Sequence, residues 1–317
     1  MEKIKTKIRI SFYDQISKNK LKSFFLMFII FLIFLLLGWV IGSSIGSEYF
    51  TLIMIIAVLF STSYLFIMYY SSSKIALASV NAKPAKRENY PQYHNSVEGL
   101  CLASGLPKPK LYIMENDQIN AFASGRNPQN SIICITTGTF KKLEKSEIEG
   151  ILAHELSHIA SYDIRFMTLV AVMVGMISII SQIFLRSLWF SSFSSGRNRN
   201  NSQAIFMIIG IVFAILAPIT VFIIQLAISR KREYAADASA VKFIRSPTGL
   251  IKALKKINFE SKHLKLKEEF KNKKVINKAI APLFFSDPFR KKMNRKKDNL
   301  FATHPPIRKR IQVLERM

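Results

Sequence analysis

In the stretch ILAHELSHIA, residues 151–160, two histidines stand four positions apart with a glutamate beside the first. On an α-helix, positions i and i+4 lie nearly over one another, so His154 and His158 leave the same face. Two neutral imidazoles at that spacing can grip one zinc ion, and Glu155 is placed to take a proton from water activated there. The bland alternative is a chance HExxH on an amphipathic helix, and it must draw both residues from only 5 histidines. Ser146 and Glu149 read as an S-x-x-E capping box, and Ile148, Leu152 and Ile159 supply the apolar face.

A second pair at i and i+4 follows later, in Arg230-Lys231-Arg232-Glu233-Tyr234-Ala235-Ala236-Asp237. Carboxylates behind a basic run usually make only a solvated helix face. Here Glu233 can complete a His, His, Glu set with one position left for water, the catalytic kind of zinc site. Asp237, one turn on, can accept a hydrogen bond from a ligand histidine and fix its tautomer. This requires Glu233 and His158 to share one side of any membrane, so the elements that carry them have to be placed.

A hydrophobic fraction of 50% and a positive mean hydropathy put part of the chain in lipid. Four stretches are long and apolar enough to span: Ser23–Gly42, Phe50–Tyr70, Phe166–Leu185 and Ala204–Ile228. The first is too long for a signal-peptide core, so an uncleaved anchor is expected. The latter two can alternatively be buried core helices. Lysines and arginines before the first span and after the second place both regions in the cytoplasm. Two spans then separate His158 from Glu233, which keeps them on one side. Arg186, Arg197 and Arg199, between spans three and four, soften the rule without reversing it.

The net charge of +26 raises the possibility of a nucleic-acid partner, but no zinc-finger spacing, Walker loop or RNP-like motif accompanies it. Anionic lipid headgroups are the expected counter-charge, and AT-biased coding is a blander cause of the same composition. Cys101 and Cys134 lie in no C-x-x-C, so reduced, partly buried thiols are expected.

Between span two and the histidine helix, Asn95–Ser104 reads as a short helix and Lys110–Met114 as a strand. Asn120–Gly125 and Ser131–Thr136 read as extended segments joined by a turn at Arg126-Asn127-Pro128. The free edge of such a sheet can pair with an extended peptide through Asn120, Ala121, Phe122 and Ala123. It can equally be an ordinary hairpin that packs the helix.

HELSHIASYD, SRKREYAAD, INAFASG and LFATHPPIRKRI occur in the order seen in the HtpX-type membrane zinc metalloproteases, which the chain resembles. These are gluzincins related to the CAAX prenyl endopeptidases. The resemblance implies one zinc per chain held by His154, His158 and Glu233, with Glu155 as general base and Asp237 behind the ligands. It favours the substrate-edge reading of Asn120–Ala123. It also brings the His-Pro-Pro segment back to the active-site region, where His304 or Arg310 can steady the oxyanion, although a prolyl turn can be purely structural. The family is linked to quality control of unfolded or damaged membrane proteins. Thr139-Phe140 stands where a leucine pair is commoner, and 252–298 is unusually lysine-rich. His94 and His263 are expected at the surface, and Lys252–Lys278 as a solvated or headgroup-facing helix.

The expected architecture is α+β: four transmembrane helices carrying a zincin-like cytoplasmic catalytic domain. Its segments are 1–70 with spans one and two, 71–165 with the histidine helix, 166–228 with spans three and four, and 229–317 with the third ligand. The expected activity is peptide-bond hydrolysis in the inner membrane, on polypeptides that include membrane proteins. A catalytically silent scaffold stabilised by zinc is the rival, but it has no use for Glu155. A cation transporter is a further rival, disfavoured because the spans hold no acidic residue.

Overall fold

Two long helices open the described chain, α1 (Phe12–Ile45) and α2 (Ser47–Ser79). They come from a computed structural model that describes residues 12–45, 47–170, 230–263, 283–285 and 305–317. Spans three and four beyond residue 170, the loop joining them, His304 and the lysines of 264–278 lie outside the described residues. Both helices are long and apolar enough to cross a membrane. They run antiparallel and pack on each other, with Phe34 edge-on to Phe60 and Tyr64. Phe24, Phe25, Phe28, Leu52, Ile55, Ile56 and Leu59 nonetheless point outward. A water-facing helix pair would not keep that much apolar surface exposed; a lipid-facing one does.

The chain then enters a mixed domain: β1 (Lys83–Pro84), α3 (Pro91–Ser104), β2 (Lys110–Met114), β3 (Ala121–Gly125) and β4 (Ser131–Thr136). Helix α3 begins four residues ahead of the expected start, because Pro91 is well suited to a first helical position. It ends on Gly105 in the left-handed conformation that closes helices. The strand order is β1-β2-β4-β3, with β2 and β4 parallel, β3 antiparallel to β4, and β1 antiparallel to β2. Both the β3–β4 hairpin and the strand Lys110–Met114 therefore form as read; the parallel β2–β4 pairing is new. Cys101 and Cys134 are buried free thiols.

After the short α4 (Thr137–Lys142) comes α5 (Lys145–Ala160), the helix of the two histidines. Its capping box uses Glu144 and Glu147, not Ser146 and Glu149 as the sequence pattern suggested. The buried Glu147 carboxylate receives the Glu144 backbone N–H at 2.8 Å and Lys256 Nζ at 2.7 Å. Glu149 instead accepts from Ser96 Oγ on α3. A helix follows at 163–170 (α6), and later α7 (Arg230–Ile244), α8 (Thr248–His263) and α9 (Ile307–Leu314).

Helix α5 is the centre of this domain. Ile148, Ile151, Leu152, Leu156 and Ile159 sink into a core shared with α3, the inner face of the sheet, α7, α8 and α9. Gly150 lets α8 approach backbone to backbone: a Cβ there would lie 2.6 Å from Leu250 N. Among the described residues the fold is α+β, mostly helical, with one small sheet.

Candidate metal centre

Helical spacing puts His154 and His158 on one face of α5, and their Nε2 atoms lie 3.2 Å apart. Helix α7 packs across α5 and delivers Glu233, whose carboxylate oxygens lie 3.7 Å from His154 Nε2 and 3.6 Å from His158 Nε2. Metal–ligand bonds of about 2.0–2.2 Å put the edges of a zinc tetrahedron at about 3.3–3.6 Å. Each Glu233 oxygen stands near that separation from one histidine, one ligand atom from each residue falls within 4.8 Å of the others, and the donor set suits zinc. Glu155, the neighbour of the first histidine, is buried and lines the same cleft.

Each imidazole has a carboxylate behind it. His154 Nδ1 lies 3.0 Å from Asp237 Oδ1, one turn beyond Glu233 on α7. His158 Nδ1 lies 3.2 Å from Asp163 Oδ2. With a metal bound, each Nδ1–H would donate to its carboxylate and leave the Nε2 lone pair for the ion. Asp163 escaped the sequence reading because it is five residues from His158, off the helical repeat. The turn that delivers it runs through Ser161 and Tyr162, and Tyr162 takes a left-handed backbone (φ 60°) uncommon for an aromatic residue. Asp163 Oδ1 also accepts Asn19 Nδ2 at 2.6 Å, so α1 is tied directly to the site.

Arg310 is the other residue whose place only the structure gives. It is 1% exposed, with Nε 2.9 Å from Asp237 Oδ2 and Nη2 2.6 Å from Oδ1, a two-pronged pair. Its guanidinium also stacks over Phe285, at 4.7 Å from the ring centroid. It lies behind His154 and does not line the cleft.

The two histidines titrate in opposite directions. Burial and the nearby Arg310 cation push His154 down to about 4, so its imidazole is neutral. Burial opposes charge on His158 too, but the Asp163 hydrogen bond and the charges of Glu233 and Asp163 outweigh it and raise the group to about 9. Burial likewise works against ionised Asp237, yet Arg310 and His154 hold it at about 2.

Of the four edge residues, Ala123 lines the cleft, while Asn120, Ala121 and Phe122 are buried and do not line it. β3 ends the sheet, and on its outer edge Phe285 N–H donates to Ala121 O at 2.8 Å. Leu283, Phe284 and Phe285 line the cleft beside β3, with the Phe285 ring edge-on to His154. His94 is half-buried away from the centre, its Nε2–H donating to Ala85 O at 2.7 Å.

A family model described as Peptidase family M48 matches residues 87–317. A "Protease HtpX homolog" of Thermoanaerobacter pseudethanolicus is 43% identical over 263 residues, covering 82% of this chain and 83% of that one. Another, from Listeria monocytogenes, is 40% identical over 314 residues, 96% and 99% of the two chains. One from Dictyoglomus turgidum is 40% identical over 308 residues, 97% and 95%. Among solved structures, a crystal structure of Ste24p from S. mikatae is 21% identical at a TM-score of 0.48, covering 94% of this chain and 65% of that one. That likeness is below the level from which a shared fold follows.

Proposed function

The chain belongs to peptidase family M48 and is a membrane metalloprotease, and on that premise we propose that it is a zinc endopeptidase whose centre is His154, His158 and Glu233. The observation that carries this reading is the convergence of those three side chains, all ligand atoms within 4.8 Å of one another, beside the non-ligand Glu155. These three side chains would hold the zinc, which when bound would supply Lewis acidity for the scissile carbonyl and for water.

The chain's own residues do the rest. Glu155 takes the proton of the attacking water and hands it to the leaving amine, so no acyl-enzyme forms. Asp237 and Asp163 each hold an Nδ1–H and fix the tautomer of a ligand histidine. Arg310 holds Asp237 ionised and in register; this positioning part fits its burial better than the oxyanion role expected from the family pattern. His304 stays a candidate for that role.

Substrate pairs as an extended strand with β3. Edge-facing groups alternate along a strand, so Ala123 is the next position after Ala121 that can offer them, directly beside the centre. Basic residues flanking α1 and α2 favour a cytoplasmic site in the inner membrane, and Phe166–Leu185 and Ala204–Ile228 are read as spans three and four. Such a placement suits quality control of unfolded or damaged membrane proteins.

The test compares detergent-purified wild type with Glu155→Gln, both given zinc and casein. The variant keeps the size of the side chain but cannot accept a proton, so zinc should stay while hydrolysis falls by orders of magnitude. Equal cleavage by the two proteins overturns the mechanism.

A further inference from the structure

A second cavity adjoins the cleft, walled by α1, α7 and the end of α5. Its floor is polar and buried: Ser157 and Ser161 of the α5 end and Asn19 of α1. Its rim is basic. Lys18 and Lys22, four positions apart on one face of α1, meet Lys231 and Arg232 of α7. None of the three lysines has a carboxylate partner among the described residues. The Ser239 hydroxyl, which also lines the cavity, has no hydrogen-bond partner among them either.

Among the described residues the one anion in the wall is Asp163, and it is already engaged by His158, Asn19, Ser161 and, at 3.7 Å, Arg232. Arg232 shares that counter-charge, so three lysines converge on the space with none of their own among the described residues, and an anion from outside would relieve their mutual repulsion. The space is about 130 Å³. One water needs about 10–15 Å³ of such volume, so a group of several heavy atoms fits.

Depth decides which anion. The uncharged run of α1 begins at Ser23, directly after Lys22, so the rim sits where the bilayer's headgroups lie. We propose that this cavity binds the phosphate of an anionic phospholipid headgroup. A free phosphate has the same charge chemistry but gains nothing from the position beside the apolar run. The proposal rests on α1 entering the bilayer at Ser23 and not on the peptidase chemistry. The bound headgroup would share a wall with the metal centre, since Asp163 and Arg232 line both cavities.

Full-length protein in detergent is titrated with phosphatidylglycerol, phosphatidylcholine or inorganic phosphate, and bound species are counted by native mass spectrometry. One saturable phosphatidylglycerol is expected, at least about tenfold tighter than phosphatidylcholine. Lys22→Gln/Lys231→Gln should weaken it about tenfold or more. Lys110→Gln/Lys252→Gln removes the same charge from exposed sites away from the cavity and should leave it unchanged. Far-UV circular dichroism and the thermal unfolding midpoint serve as the folding control for both pairs. Equal loss in the two pairs means diffuse attraction and overturns the site. Displacement of the lipid by inorganic phosphate at matched concentration means a free-phosphate site and overturns the headgroup assignment.

Discussion

Replacing Asp163 with asparagine should change how zinc affinity depends on pH, more than it changes affinity at neutrality. In the metal-free protein His158 is raised to about 9, with Asp163 among the causes. At pH 7 a metal must then displace a proton held two pH units above neutrality, which lowers apparent affinity about 100-fold. His154, pushed down to about 4, adds no such competition. Wild-type log affinity should therefore climb about one unit per pH unit from 7 to 9, then level off.

Asp163→Asn acts in two opposed ways. It removes the carboxylate that orients His158 from 3.2 Å, which costs roughly 10- to 100-fold in intrinsic affinity. It also lets His158 fall back towards its ordinary 6.5, which relieves most of the proton competition at pH 7. The two nearly cancel at neutrality and separate above pH 9, where the variant should bind 10- to 100-fold more weakly. Competition against a chromophoric zinc chelator across pH 6.5–9.5 measures this. Parallel curves would refute the reasoning, because a mere structural disturbance at the Asn19 contact weakens binding by a constant factor. The sign of the linked effect on the metal-free fold is also fixed. A raised histidine contributes its full stability below pH 6.5 and loses it as pH rises through about 9.

Glu233→Ala should drop zinc well below one per chain by elemental analysis, since an anionic ligand is lost; full occupancy would mean the third ligand lies elsewhere. Gly150→Ala should destabilise by about 1–3 kcal/mol in a denaturant melt, because its Cβ would meet the Leu250 backbone at 2.6 and 2.8 Å, and this exceeds the helix-propensity gain of about 1 kcal/mol. Gly99→Ala on α3 meets nothing within 4 Å and should instead stabilise; the same sign for both would contradict the close approach of α5 and α8. For topology, single cysteines at Ser195 and at Leu102, which is 86% exposed, are tested with an impermeant thiol reagent in a background lacking Cys101 and Cys134. Label at Ser195→Cys in intact cells and at Leu102→Cys only in opened ones is expected; label at Leu102→Cys in intact cells would place the domain outside.

What the sequence determined by itself is what short-range geometry governs. The i, i+4 repeat sets His154 over His158, and Glu233 below Asp237, whatever surrounds them. The uncharged runs of α1 and α2 specify long helices, because hydrocarbon tolerates no unpaired backbone. The hairpin of β3 and β4 follows from a turn flanked by β-formers. The cap of α5 shows where local rules stop: Ser146–Glu149 fits the S-x-x-E pattern, yet Glu144 and Glu147 form the box, with Lys256 on α8 holding Glu147.

The tertiary structure decided the rest. Asp237 pairs with Arg310 across 73 positions, and Asp163 with Asn19 across 144. No periodicity links residues so far apart. Their meeting depends on how α1, α7 and α9 pack around α5, and on a left-handed turn at Tyr162 that brings Asp163 back to His158. The outer edge of β3 is a similar case, because Phe285 lies far along the chain from Ala121 and only the packed fold brings the two together. A metal ligand can be read from spacing along one helix, whereas the carboxylate behind it is fixed by which other helix the core brings alongside.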